Sequence, residues 1–283
     1  AEVMEAIPEL ADCKTEDEAY KKYKRLEEDV IRQQLETSAS VSVKNMAAKA
    51  RSAYHVGDAF EGIKKVPDGS VHFAEVDPPY AVDLDRRKSR NQDTEQIEAY
   101  NEVPEDKYLD FVLEMAKEVY RTLFADSFAI WWFGSSWHDP VRQMLEIAGF
   151  KVNEIPAIWY KGTVGQTASP DTMLGSSYEP FYVCRKGSPK MAKPGRSNVF
   201  AYSPVAPQKK IHPTERPLDM MVEILETFTY PGGVMVVPFL GSGVTIRAGF
   251  LTNQRGFGWD FNDVTKRRFV GEVQRDWEHD TED

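Results

Sequence analysis

The chain has 283 residues, 41% apolar and 28% charged, the make-up of a globular protein and the right size for one α/β domain with insertions. Only Cys13 and Cys184 occur, far apart, so a disulfide scaffold is excluded and a reducing, cytoplasmic setting is expected. No apolar run could span a bilayer, the opening residues Glu2 and Glu5 do not read as a signal peptide, and the net charge of −10, taken alone, argues against a nucleic-acid partner.

Residues 1–50 read as a charged helical segment with a linker. Thr15 is a candidate cap with Glu18 three residues on, and no Pro or Gly interrupts the pattern to Glu36. The main domain is expected over 51–283. Residues 71–76 form a short strand that must stop at Asp77-Pro78-Pro79-Tyr80, because two prolines cannot donate to a ladder. Residues 83–103 read as a long loop. Pro104 then opens an amphipathic helix with Leu109, Val112, Leu113, Ala116, Val119 and Leu123 on one face. Ser127–Phe133 is an apolar strand, and a helix over 140–148 ends at Gly149. Strands follow at 155–160 and 181–184, the latter taking Cys184 into the core. Pro217 opens a helix faced by Leu218, Met221, Val222, Leu225 and Phe228. A strand at 234–237, a glycine loop, a helix over 244–251 and a strand at 255–259 complete the series. Strands alternating with helices predict a mostly parallel sheet covered on both faces.

Three groups of residues suggest chemistry. Asp77-Pro78-Pro79-Tyr80 ends a strand, where open α/β sheets bind ligands. Asp77 and the Pro78 carbonyl suit the two N–H groups of an exocyclic amine, and Tyr80 suits stacking on a planar base. A strand-ending turn with a solvated Asp is the plainer alternative. Phe239-Leu240-Gly241-Ser242-Gly243 lies between strand and helix, where glycines let a ligand approach the backbone. It lacks the Lys-Ser/Thr of a P-loop, and it would also serve as a simple tight turn. Asp260 ends the next strand, where a carboxylate can take two ribose hydroxyls or merely cap a helix.

In their order these pieces resemble the S-adenosylmethionine-dependent DNA amino-methyltransferases of the permuted, β-class arrangement, in which the catalytic tetrapeptide precedes the cofactor glycines. The likeness extends over most of 54–270. It includes Val56-Gly57-Asp58-Ala59-Phe60, Pro67-Asp68-Gly69-Ser70-Val71, Gly149-Phe150, Ile158-Trp159-Tyr160-Lys161 and Tyr178-Glu179-Pro180-Phe181. His212-Pro213-Thr214-Glu215-Arg216-Pro217 is similar to the family's His-Pro-Thr-x-Lys/Arg-Pro signature.

The resemblance implies a Rossmann-like methyltransferase fold with a target-recognition insertion at about 162–210. It implies that S-adenosylmethionine lies over Phe239, Gly241, Ser242 and Gly243, with Asp260 on the ribose, Asp58 near the adenine ring, and Thr214 and Arg216 as further contacts. Asp77, Pro78, Pro79 and Tyr80 become the catalytic residues. They act on an adenine flipped out of double-stranded DNA, since Asp at the first position favours N6-adenine and Ser is commoner in N4-cytosine enzymes. Family members are often dimers. One departure stands out: an Asp commonly precedes the Pro-Phe of the glycine loop, and here that position is Val237.

The acidic total hides a basic interval. Residues 184–216 carry a net +7, from Arg185, Lys186, Lys190, Lys193, Arg196, Lys209, Lys210 and Arg216 against Glu215. Arg86, Arg87, Lys88 and Arg90 form a second cluster just past the tetrapeptide. Both are candidate phosphate contacts, although most charge runs are solvated loops. The five histidines show no metal-ligand spacing, so no metal is expected. N4-cytosine or RNA methylation, and a DNA-binding module that has lost catalysis, stand as alternatives.

Overall fold

A computed structural model describes residues 46–80, 103–162, 170–212 and 214–279, with Thr15 and Thr167. The expected N-terminal helix and the basic cluster Arg86–Arg90 lie outside these residues. The described residues form one nine-stranded mixed sheet. Its strands are β1 (Tyr54–Val56), β2 (Val71–Val76), β3 (Leu123–Trp132), β4 (Lys151–Val152), β5 (Ala157–Tyr160), β6 (Tyr178–Lys186), β7 (Val199–Ala201), β8 (Val234–Val237) and β9 (Arg255–Asp260). The order across the sheet is β1-β9-β8-β2-β3-β6-β5-β7, with β4 pairing β6.

From β1 to β3 every pairing is parallel, as the alternation of strands and helices predicts. The sheet is thus mostly parallel, as expected; the exception is β6, which runs antiparallel to β3, β4 and β5. No helix separates β5 from β6 among the described residues, so a reversal is the short way back.

Two apolar layers cover the sheet. One holds α1 (Met46–Ala53), α5 (Leu218–Phe228), α6 (Val244–Leu251) and α7 (Asp263–His279). The other holds α2 (Ala59–Ile63), α3 (Tyr108–Thr122) and α4 (His138–Ile147). Alternation along β3 sends Trp131 into the second layer and Trp132 into the first, both fully buried.

Sequence and structure differ in detail around α3. Pro104 leads into a 3₁₀ turn, Glu105–Lys107, before the helix proper. The buried stripe centres on Tyr108, Val112, Met115, Ala116 and Val119, with Leu109 and Leu113 at its margins. Leu123 is not the last helical contact but the first residue of β3. The strand expected from Ile155 starts instead at Ala157, and Ile155 is exposed. Pro156 cannot donate to the ladder, which explains the later start.

Candidate active site

β1, β9, β8 and β2 are consecutive and parallel, so their carboxyl ends share one edge of the sheet. Each end carries a group that the sequence singled out: Asp58 after β1, Asp260 closing β9, Phe239–Gly243 after β8, and Asp77–Tyr80 after β2. The β2 and β8 loops leave adjacent strands.

Asp77 meets Arg216 from the loop before α5. Arg216 Nη1 donates to Asp77 Oδ2, and Nη2 donates to Oδ1 at 3.0 Å. The Tyr80 hydroxyl also donates to Asp77 Oδ1, at 2.7 Å. The guanidinium lies over the Trp132 ring, 3.8 Å from its centroid, and its side chain is only 7% exposed. Arg216 Nη2 reaches Glu179 Oε2 at 3.4 Å, and Lys161 Nζ holds the other Glu179 oxygen at 2.5 Å. Burial pulls the Arg216 guanidinium towards its neutral form. The carboxylates of Asp77 and Glu179 and the Tyr80 hydroxyl overcome that and hold it charged. Burial, then Asp77, drive the Tyr80 hydroxyl well above its usual range.

The glycine loop is held by its neighbours. Gly241 and Gly243 take φ of +50° and +74°, and a Cβ on Gly243 would sit 2.5 Å from the Phe269 ring. Asp260 Oδ2 accepts the Gly241 N–H at 3.1 Å, and Oδ1 accepts the Asn262 N–H at 2.8 Å. The Tyr54 hydroxyl donates to the Gly241 carbonyl at 2.9 Å. Burial raises the Asp260 carboxyl, opposed by those two backbone donors and by His212. Ser242 is buried, while Phe239 is half-buried against Phe111. The His212 ring stands over Gly241, and burial lowers its pKa. Thr214 is exposed, with its hydroxyl 3.1 Å from His212 Nδ1. Asp58 caps α2 by accepting the Glu61 N–H at 2.9 Å, and the preceding Gly57 N–H donates to the Asp260 carbonyl at 3.0 Å. The backbone freedom of the loop, its helix N-terminus and the carboxylates on flanking strands fit a nucleoside-bearing ligand.

The basic interval is less free than its count suggests. Lys193 pairs with Glu226 and Arg196 with Glu223, both at 2.6 Å and both from α5. Lys186 donates to the carbonyls of Tyr120 and Leu123. Lys190 and Lys209 are exposed. Lys209 and Lys210, with Arg268, Arg275 and Glu272, line a cleft of about 530 Å³. Among the described residues no group of three His, Cys, Asp or Glu side chains is placed to hold a metal, and no helix is long and apolar enough to cross a membrane.

A family model described as DNA methylase, covering N6 and N4 enzymes, matches residues 71–270. The chain belongs to that family. Among curated relatives, "Putative methylase YubD" of Escherichia coli (strain K12) is 26% identical over 207 residues, 73% of this chain and 83% of that one. The DNA adenine methyltransferase YhdJ of the same organism is 24% identical over 250 residues, 76% and 79% of the two chains. Among solved structures, the cytosine-N4-specific PvuII DNA methyltransferase shares the fold with a TM-score of 0.62, at 16% identity and 79% and 92% coverage.

For this DNA methylase three side chains at the site escaped the sequence reading. Trp132 looked like any strand aromatic. Glu179 stood in a quoted motif with no role attached. Glu75 had a visible signal, as a charge among Phe73, Ala74 and Val76, two residues before Asp77. It is 3% exposed and accepts the Thr245 hydroxyl of α6 at 3.2 Å. Burial, then the Asp77 charge, push its carboxyl up to about 7, against the opposing pull of Arg216 and Thr245.

Proposed function

We propose that this DNA methylase transfers the methyl group of S-adenosylmethionine to the N6 amino group of adenine in double-stranded DNA. The observation that carries the reading is the adjacency of β2 and β8, which opens the Asp77–Tyr80 and Phe239–Gly243 loops side by side. Solved relatives of the same fold, TTHA0409 of Thermus thermophilus (TM-score 0.57, 22% identity, 78% and 93% coverage) and M1.HpyAVI, are complexes with S-adenosylmethionine.

Phe239, Gly241, Ser242 and Gly243 hold that cofactor, with Asp260 on the ribose, Asp58 towards the adenine, and Thr214 at the rim. When bound it supplies an activated methyl group on a sulfonium. Asp77 and the Pro78 carbonyl accept the two N–H bonds of the target amino group and aim its lone pair at the methyl carbon. The cofactor would supply the methyl carbon and depart as the neutral thioether, and the surplus amino proton would pass to water. Positioning of this kind contributes up to ~7–11 kcal/mol of a barrier. Flipping the base costs a few kcal/mol, and Tyr80 offsets part of it by stacking. Lys190, Lys209 and Lys210, with Arg86, Arg87, Lys88 and Arg90, take the DNA backbone; Lys193 and Arg196 are already committed to α5.

Adenine is preferred because Asp, not Ser, opens the tetrapeptide, and the family resemblance ties that choice to N6 chemistry. The fold shared with a cytosine-N4-specific enzyme favours N4-cytosine as the second reading. The protein is incubated with tritiated S-adenosylmethionine and either DNA lacking methyladenine or RNA, and the nucleic acid is digested to nucleosides. Label in N6-methyldeoxyadenosine is expected. Label in N4-methyldeoxycytidine, or in RNA alone, overturns the assignment.

A further inference from the structure

A carboxylate offers about four lone-pair directions. On Asp77 three are filled: Oδ1 accepts Tyr80 and Arg216 Nη2, and Oδ2 accepts Arg216 Nη1. Among the described residues one direction remains, on Oδ2. The sequence resemblance assigned Arg216 to the cofactor, yet its hydrogen bonds run to Asp77, Tyr80 and Glu179. Stability is a poor reason for such an arginine, because a buried ion pair seldom outperforms apolar packing. Its Nε–H is also buried without a hydrogen-bond partner among the described residues, which adds a cost.

We infer that Arg216 is a positioning residue for methyl transfer: it locks the Asp77 carboxylate so that one lone pair of Oδ2 is reserved for the target amino N–H. The inference rests on the proposed amino-methyl transfer. The parts match the task. The planar fork of an arginine fixes both oxygens of a carboxylate, which the point charge of lysine does not. Trp132 holds the guanidinium plane from one side. Glu179 holds Nη2 from outside the reacting centre and is itself fastened by Lys161, at the neck of the β5–β6 connection, where the Lys161 N–H donates to the Ser177 carbonyl at 2.7 Å. The chain Lys161–Glu179–Arg216–Asp77 therefore joins the base of the expected target-recognition insertion to the catalytic carboxylate.

The test uses the full chain, DNA lacking methyladenine, and the variants Arg216→Lys and Glu179→Gln. Arg216→Lys is expected to lower kcat by about 10- to 100-fold, the scale of a small misplacement at the reacting centre, with the S-adenosylmethionine Kd from calorimetry unchanged. Glu179→Gln, which loosens Arg216 without removing it, is expected to lower kcat several-fold, again at constant Kd. Guanidinium ion added to Arg216→Ala is expected to restore part of the lost kcat. Circular dichroism of each variant separates this loss from unfolding; if an Arg216 variant does not fold, Glu179→Gln decides. A raised cofactor Kd with kcat intact overturns the inference and returns Arg216 to the cofactor site. So does wild-type kcat in both Arg216→Lys and Glu179→Gln. A wild type that methylates no nucleic acid instead overturns the proposed function, and this inference falls with it.

Discussion

Glu75 and Val237 stand side by side on neighbouring strands. Ala74 of β2 pairs with Val236 of β8 in parallel register, and one step on brings the two together, both buried on the layer that includes Phe73 and Met235. Where family resemblance leads one to expect an Asp on β8, the chain has an apolar Val237, and the buried carboxylate sits on β2. Glu75 then reaches Thr245, in the first turn of the helix after the glycine loop. Its folded-state pKa, about 7, lies above the ordinary 4.5, so the folded protein keeps a proton that the unfolded chain gives up. The contribution of Glu75 is whole below the ordinary value and is lost as pH rises through about 7. Glu75→Gln keeps an acceptor for Thr245 and cannot ionise. Its melting temperature is expected to gain on the wild type as pH goes from 5 to 8. Parallel curves over that range would show that Glu75 does not titrate in the fold.

Val237→Asp would set a second carboxylate beside Glu75 in an apolar layer. An uncompensated buried charge costs several kcal/mol, so unfolding in urea at pH 8 is expected to show a loss of at least about 3 kcal/mol. Adding Glu75→Gln removes the neighbouring charge and should recover part of that loss. The two substitutions are then non-additive in a double-mutant cycle. Simple additivity would mean that the two positions do not sense each other.

Most of the scaffold was legible in the sequence because its signals are local. Pro78 and Pro79 end β2, Pro217 starts α5, and the bounds of β8 and α6 follow from the glycines that flank them. The reversal at β6 was not legible, since strand direction depends on how the 161–177 connection returns, and apolar runs carry no direction. The site divided the same way. Asp77–Tyr80 and Gly241–Gly243 are contiguous and readable. The grip of Arg216 on Asp77 joins residues 139 positions apart, and nothing in local spacing points to it. The basic interval was misleading for a related reason: Glu223 and Glu226, which neutralise Arg196 and Lys193, lie outside it.

Removing the Asp77 carboxylate should separate catalysis from stability. Asp77→Ala leaves Arg216 buried, with Glu179 at 3.4 Å as its remaining ion-pair partner among the described residues and the Tyr80 hydroxyl at 3.3 Å. Breaking a buried pair costs about 3–5 kcal/mol, and the remaining Glu179 should keep the loss near the lower end. Asp77→Asn retains shape and one acceptor and should unfold closer to wild type. Both are expected to lose methyl transfer by at least about 100-fold, while S-adenosylmethionine binding persists. Calorimetry and tritium incorporation check the two halves. Turnover near wild type in Asp77→Ala would end the role given to this carboxylate.

Gly243→Ala tests the proposed cofactor loop without touching a charge. At φ of +74° an alanine pays about 1–2 kcal/mol for the left-handed conformation. Its Cβ would also press on Phe269, whose ring lies 5.4 Å from that of Tyr54, the residue that holds the Gly241 carbonyl. Strain is thus passed back to the other glycine. A lower melting temperature together with weaker S-adenosylmethionine binding is expected. Loss of stability with unchanged cofactor affinity would detach the loop from the cofactor.

Phosphate contacts can be separated from internal ion pairs by salt. Each phosphate neutralised contributes about −0.9 to the slope of log Kobs against log salt. Lys209 is exposed and lines an open basic cleft, whereas Lys193 and Arg196 are engaged by Glu226 and Glu223. In duplex titrations followed by anisotropy, Lys209→Ala is expected to flatten the slope by up to about 0.9. Lys193→Ala with Arg196→Ala should leave it nearly unchanged, because those charges are already balanced on α5. The reverse result would place the DNA along α5 and move the phosphate grip away from the cleft beside α7.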